Sequence, residues 1–223
     1  MNFEFFFTYM LQNKLEVIKQ ALSAALPRNI IKGLVLLSIL SFSIFGFMIG
    51  SSHSVLQGIV SAVKLPFLFY VTGLICFPTL YIFMALLGVP TSLKGIAQFS
   101  VLAISIMSLI LMAFAPVSLF FLVIGTHYQT FKLLNVGMMA IAGISGVYLF
   151  SKYILVDLAP DVSHSINRSR LHLFIRLWLI MYGVIGANLG FVLSPMFGDP
   201  TEGFIWFTTS DQNFFTHISS ILF

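Results

Sequence analysis

Residues 33–50 read GLVLLSILSFSIFGFMIG, a run without a charge, with Arg28 and Lys32 just upstream. About 20 apolar residues in a helix cross the roughly 30 Å hydrocarbon core of a bilayer, so this run reads as a membrane span. Four stretches of the same kind follow, at about 67–88, 99–125, 133–151 and 173–197. Together they take up most of the 223 residues and leave no room for a separate soluble domain. A soluble domain carries about a quarter charged residues. Here charged residues make up 8%, hydrophobic ones 59%, and the mean hydropathy is +1.03. Lipid is the expected solvent for most of these side chains.

The gaps between the spans set the orientation. Lys14, Lys19, Arg28, Lys32, Lys94, Lys152, Arg168, Arg170 and Arg176 fall on one side of the five spans, and only Lys64 and Lys132 on the other. The positive-inside rule places the first set in the cytoplasm, which puts the N-terminus inside and the C-terminus outside. Asp199, Glu202 and Asp211 then lie outside. The expected architecture is an all-α polytopic bundle. It comprises a cytoplasmic amphipathic segment (1–27), a five-helix transmembrane domain (28–198) and an extracytoplasmic acidic, aromatic tail (199–223), in the cytoplasmic (inner) membrane. The N-terminus lacks the basic region of a signal peptide, so the first span is expected to be retained. Cys76, the sole cysteine, forms no internal disulfide. The basic residues sit where topology wants them. They point to anionic lipid and not to nucleic acid.

Two polar-faced segments are read as lying outside the spans. Thr8–Leu26 carries Leu11, Leu15, Ile18, Leu22 and Leu26 at helical spacing and ends at Pro27. It suits an interfacial helix, or one docked on a partner. Between His53 and Pro66, Gln57, Ser61 and Lys64 share a stripe opposite Val55, Leu56, Ile59 and Val63. This second segment is too short and polar to cross alone, and is expected to be interfacial or re-entrant.

The span centres hold no ionisable residue of the kind that marks proton relays or ion paths. Arg176 lies close enough to the boundary to snorkel. The clearest pattern is one of helix packing. Gly183 and Ala187 on the fifth span, and Gly186, Gly190 and Ser194 beside them, repeat small residues four apart, a spacing that lets backbones approach. Ala142 and Gly146, with Gly143 adjacent, offer a matching surface on the fourth span. The stripe is read as packing within the monomer or across a homo-oligomer. Asn135 and Asn188 are expected to hydrogen bond between helices. No metal site is expected, because His53, His127 and His217 lie in separate loops and Pro160 interrupts the Asp157, Asp161, His164 face. No nucleophile elbow, zincin motif or phosphate loop is present. No cofactor is expected, and Arg168 and Arg170 are candidate contacts for lipid phosphates.

Several short segments carry a resemblance: Gly50-Ser51-Ser52-His53-Ser54, Lys64-Leu65-Pro66, Cys76-Phe77-Pro78-Thr79-Leu80-Tyr81, Leu86-Leu87-Gly88, Ala115-Pro116-Val117 and Pro195-Met196-Phe197-Gly198-Asp199-Pro200. In these the chain resembles a family of uncharacterised bacterial five-span integral membrane proteins, similar in general architecture to the Yip1-type proteins. The resemblance implies an N-in, C-out bundle and no catalytic residues. The acidic, aromatic cytoplasmic arm of eukaryotic Yip1-type proteins is missing. The expected function is that of a non-enzymatic structural or accessory subunit of a larger membrane assembly. One alternative is a pore or permease component shaped by Pro78, Pro116 and the Gln57-Ser61-Lys64 stripe. A third is a lipid-modifying enzyme using the polar region from Asp157 to His172.

Overall fold

The structure is a computed structural model and describes residues 17, 20, 21, 23–86, 92–157 and 168–194. Among them every regular element is an α-helix: α1 (Arg28–Gly50), α2 (Val55–Leu86), α3 (Leu93–Val123), α4 (Tyr128–Asp157) and α5 (Arg168–Val192). Helices α1, α2 and α3 are long and apolar enough to cross a membrane. The N-terminal segment 1–27 is described only at Val17, Gln20, Ala21 and from Ser23 onward, and the tail 199–223 lies outside the described residues.

Local chemistry fixes the helix ends. The carbonyl of Pro27 accepts from the N–H groups of Ile30 and Ile31 at the start of α1. Ser54 caps α2, its hydroxyl accepting from the Gln57 N–H at 3.2 Å and its carbonyl from Gly58 at 2.9 Å. Ser92 caps α3 by accepting from Gly95 N–H at 3.0 Å, satisfying one of the orphan donors at a helix start. Helix α3 stops at Gly125, whose φ of +73° lies in the left-handed region open to glycine. There Thr126 N–H reaches back to the Phe121 carbonyl and Gly125 N–H to Leu122, closing a Schellman turn. Short turns make α1 and α2, and α3 and α4, antiparallel neighbours.

Three boundaries differ from the sequence reading. The polar stretch from His53 to Pro66 is not a separate interfacial or re-entrant element. It forms the opening turns of α2, which runs unbroken for 32 residues through Pro66 and Pro78. A proline removes one donor and crowds one carbonyl, yet the helix continues through both. The polar hairpin expected at Thr126–Lys132 is shorter, because α4 is already helical at Tyr128. Helix α4 therefore overruns its expected span of 133–151, while α3, expected at 99–125, starts earlier at Leu93 and ends at Val123. Helix α5 is displaced from 173–197: it starts at Arg168 and ends at Val192. Hydropathy marks where lipid begins, whereas backbone hydrogen bonding continues into the polar flanks.

Helix α1 packs on both α2 and α3. Helix α4 lies on α3 and α5 on α2, while the α2–α3 and α4–α5 pairs touch only lightly. Two apolar clusters fill the bundle. Toward the Gly50 end, Phe42, Phe45, Ile49, Leu65, Leu68, Leu111 and Phe131 pack together, with Phe42 and Phe69 stacked at 4.3 Å. Toward the Arg28 end, Leu34, Leu37, Cys76, Leu80, Met84, Ile96 and Phe99 form the other cluster, and Val17, Ala21 and Leu26 join it. The described part of the N-terminal segment thus docks on its own bundle. The Leu26 N–H donates to the buried Gln98 Oε1 at 3.2 Å. Outward faces carry large apolar side chains such as Leu36, Leu74, Phe120, Leu133 and Ile180, the surface expected where lipid is the solvent.

Candidate functional site

The tightest backbone approach between helices among the described residues involves positions that sequence reasoning passed over. On α1, Gly46 and Gly50 face α2 so closely that a Cβ at Gly46 would lie 2.5 Å from the Ser61 carbonyl oxygen. One at Gly50 would lie 2.6 Å from that of Gln57. Across from them, Gly58 meets the Phe47 ring. The signal was present as a G-x-x-x-G pattern at 46–50, the spacing that brings two membrane helices into backbone contact. Gln57, Ser61 and Lys64 are all buried in this region, so the polar stripe of α2 faces protein.

Where the two helix pairs diverge, a crevice of about 40 Å³ opens. Gly73 and Phe77 of α2, Ala103, Ile104 and Met107 of α3, and Gly146 of α4 line it, closed by Trp178, Leu179 and Tyr182 of α5. Its polar neighbours are already engaged. Trp178 Nε1 donates to the Cys76 carbonyl at 3.1 Å, and the Tyr182 hydroxyl points at the Phe69 carbonyl at 3.5 Å. The Ser100 hydroxyl donates to Ile96 O at 2.8 Å. Trp178 and Tyr182 also pack ring against ring at 5.7 Å. Just behind Gly73, Thr72 is buried with its Oγ1 lacking a hydrogen-bond partner among the described residues. An apolar slot of this kind offers shape but neither a nucleophile nor a general base.

The small residues singled out from sequence are split between several surroundings. A Cβ on Gly186 would lie 3.6 Å from Thr72 of α2, whereas one on Gly183 or Gly190 would meet nothing within 4 Å among the described residues. Ala187 and Ser194 are half-buried. Ala142 is fully buried. A Cβ on Gly146 would overlap Met107 of α3, and Gly143 faces open space among the described residues. Ala142 and Gly146 therefore serve the α3–α4 contact, and the α5 stripe meets α2 along one edge only. Asn135 is buried and bridges helices, accepting from the Ser118 hydroxyl at 2.7 Å while donating to Phe131 O at 2.9 Å. Asn188 does not: its amide donates to Val184 O in its own helix at 2.9 Å. Arg168 and Arg170 open α5, and their side chains lie outside the described set, as do Asp161, His164 and His217. Among the described residues no cluster suited to a metal ion occurs. Pro78 and Pro116 are exposed on outer faces.

No protein-family model, curated protein or solved structure matches the chain.

Proposed function

We propose that this chain is a non-enzymatic integral membrane protein of the cytoplasmic membrane that serves as a structural or accessory subunit of a larger assembly. In this reading all five helices cross the bilayer, with the N-terminus cytoplasmic and the C-terminus outside. Helices α4 and α5, at 30 and 25 residues, are about 45 and 38 Å long at 1.5 Å per residue, enough to cross a ~30 Å core. The basic residues between the spans support the orientation, and so does the resemblance to five-span Yip1-type proteins.

One observation carries the assembly reading. Gly183 and Gly190 on α5 present a small-residue face with nothing packed on it among the described residues. Glycine weakens a helix by roughly 0.8–1.0 kcal/mol relative to alanine, and in membranes the usual return is close contact with another helix. A helix of a partner subunit fits that face. Purification in mild detergent followed by mass measurement tests the proposal. A particle heavier than one chain, lost in Gly183→Leu or Gly190→Leu, is the expected result. A strictly monomeric particle with no co-purifying protein overturns it. The pore alternative is weakened, because Gln57 and Ser61 pack against α1 and both Pro78 and Pro116 face outward.

A further inference from the structure

The crevice between the two helix pairs lies roughly 14–20 Å from the Leu86 end of α2 and roughly 15–21 Å from the Arg168 end of α5, taking 1.5 Å per residue. If the helices cross a bilayer as proposed above, that depth falls within the hydrocarbon. We infer that the crevice grips part of one acyl chain of an anionic phospholipid from the leaflet at the Arg28 end, its headgroup phosphate held by Arg176. The inference rests on the membrane-crossing reading but not on the assembly role.

Four observations point to this occupant. The floor and walls are apolar: Gly73, Phe77, Ala103, Ile104, Met107 and Gly146. The polar atoms along the rim are spent on Cys76, Phe69 and Ile96 carbonyls, so an occupant needs no hydrogen bonds of its own. A volume of about 40 Å³ admits a few methylenes of a slender chain and not a ring system. Finally, the exposed Arg176 lies one turn before the crevice residue Leu179 on α5, toward its Arg168 end. Residues three apart are surface neighbours on a helix, so the cation sits over the slot on the side where a phosphate would lie. A guanidinium pairs with phosphate oxygens through paired N–H donors. Helix ends on the same side add the exposed Arg28, Lys32 and Lys94, which favour an anionic leaflet surface.

Fluorescence quenching tests this. The chain has two tryptophans, and Trp206→Phe leaves Trp178, on the crevice wall, as the only emitter. The protein is reconstituted in phosphatidylcholine vesicles. A small fraction of the lipid is brominated mid-chain, as either phosphatidylglycerol or phosphatidylcholine. Brominated phosphatidylglycerol is expected to quench Trp178 at a several-fold lower mole fraction than brominated phosphatidylcholine. Arg176→Gln should bring the two lipids together, and Ala103→Leu should reduce quenching by both. Equal quenching by the two headgroups in the parent protein overturns the inference, since ordinary solvating lipid behaves that way. Undiminished headgroup preference in Arg176→Gln, or undiminished quenching in a folded Ala103→Leu, overturns it as well. Absence of quenching by lipids brominated at any depth would instead sink the crossing reading on which it stands.

Discussion

Asn135 shows at the level of one side chain how this bundle tolerates polarity. Its amide spends one group on Ser118 of α3 and the other on its own helix, so nothing polar is left facing hydrocarbon. Asn135→Ala removes the bridge and strands the Ser118 hydroxyl. Membrane interhelical bonds average ~0.6 kcal/mol and reach ~1.7, so a loss near the upper figure is expected, measured as a lower unfolding midpoint in detergent. Ala24 carries the opposite kind of signal. Its φ is +58°, and around it Ala25 N–H donates to Gln20 O and Ala24 N–H to Ala21 O, the two bonds of a Schellman turn. A side chain in the left-handed region is penalised by roughly 1–2 kcal/mol. Ala24→Gly should therefore raise the melting temperature, and a fall would mean that the turn is not held there. Asn135 was legible in the sequence as a residue that hydrogen bonds between helices, though it accepts there where donation was expected. Asn188 carried the same signal but bonds within α5, because composition does not say which face of a helix meets a neighbour.

At the scale of elements, the instructive case is α2. Pro66 and the Gln57-Ser61-Lys64 stripe read as a break between a surface helix and a span. The reading failed because burial, not hydropathy, decided the outcome: α1 supplies Gly46 and Gly50, whose missing side chains let the α2 backbone settle against it. A polar stripe facing protein looks, in sequence, like one facing water. Existence and helicity of the apolar stretches were legible, since periodicity and length fix them locally. The crevice was not, because its walls come from four helices and no short window contains them. The α1–α2 contact yields a prediction. Gly50→Leu drives a side chain onto the Gln57 carbonyl and Ser61, with an overpacking loss of about 1–3 kcal/mol. Gly137→Ala, where a Cβ meets nothing among the described residues, should leave stability unchanged or slightly higher. Thermal unfolding of the two variants side by side checks the contrast.

For the whole molecule, the proposed threading makes a direct prediction. In a Cys76→Ser background, single cysteines at Ser51 or Gly125 should react with a membrane-impermeant maleimide on intact cells. One at Lys94 should react only after permeabilisation. The reverse pattern would invert the map, and uniform reactivity would dissolve it. The described N-terminal residues matter at this scale too, because Val17, Ala21 and Leu26 complete the cluster at the Arg28 end. Leu26→Ala should cost about 2 kcal/mol or more, lowering Tm by roughly 4–8 °C at the usual rate for a chain of this size.

That docking also constrains the order of events during synthesis. Leu26 meets Gln98 across 72 positions, and at roughly 5–20 residues per second of translation some 4–14 s separate the emergence of the two. The segment that ends at Leu26 must therefore wait, its apolar side unhoused, until the third helix arrives to receive it.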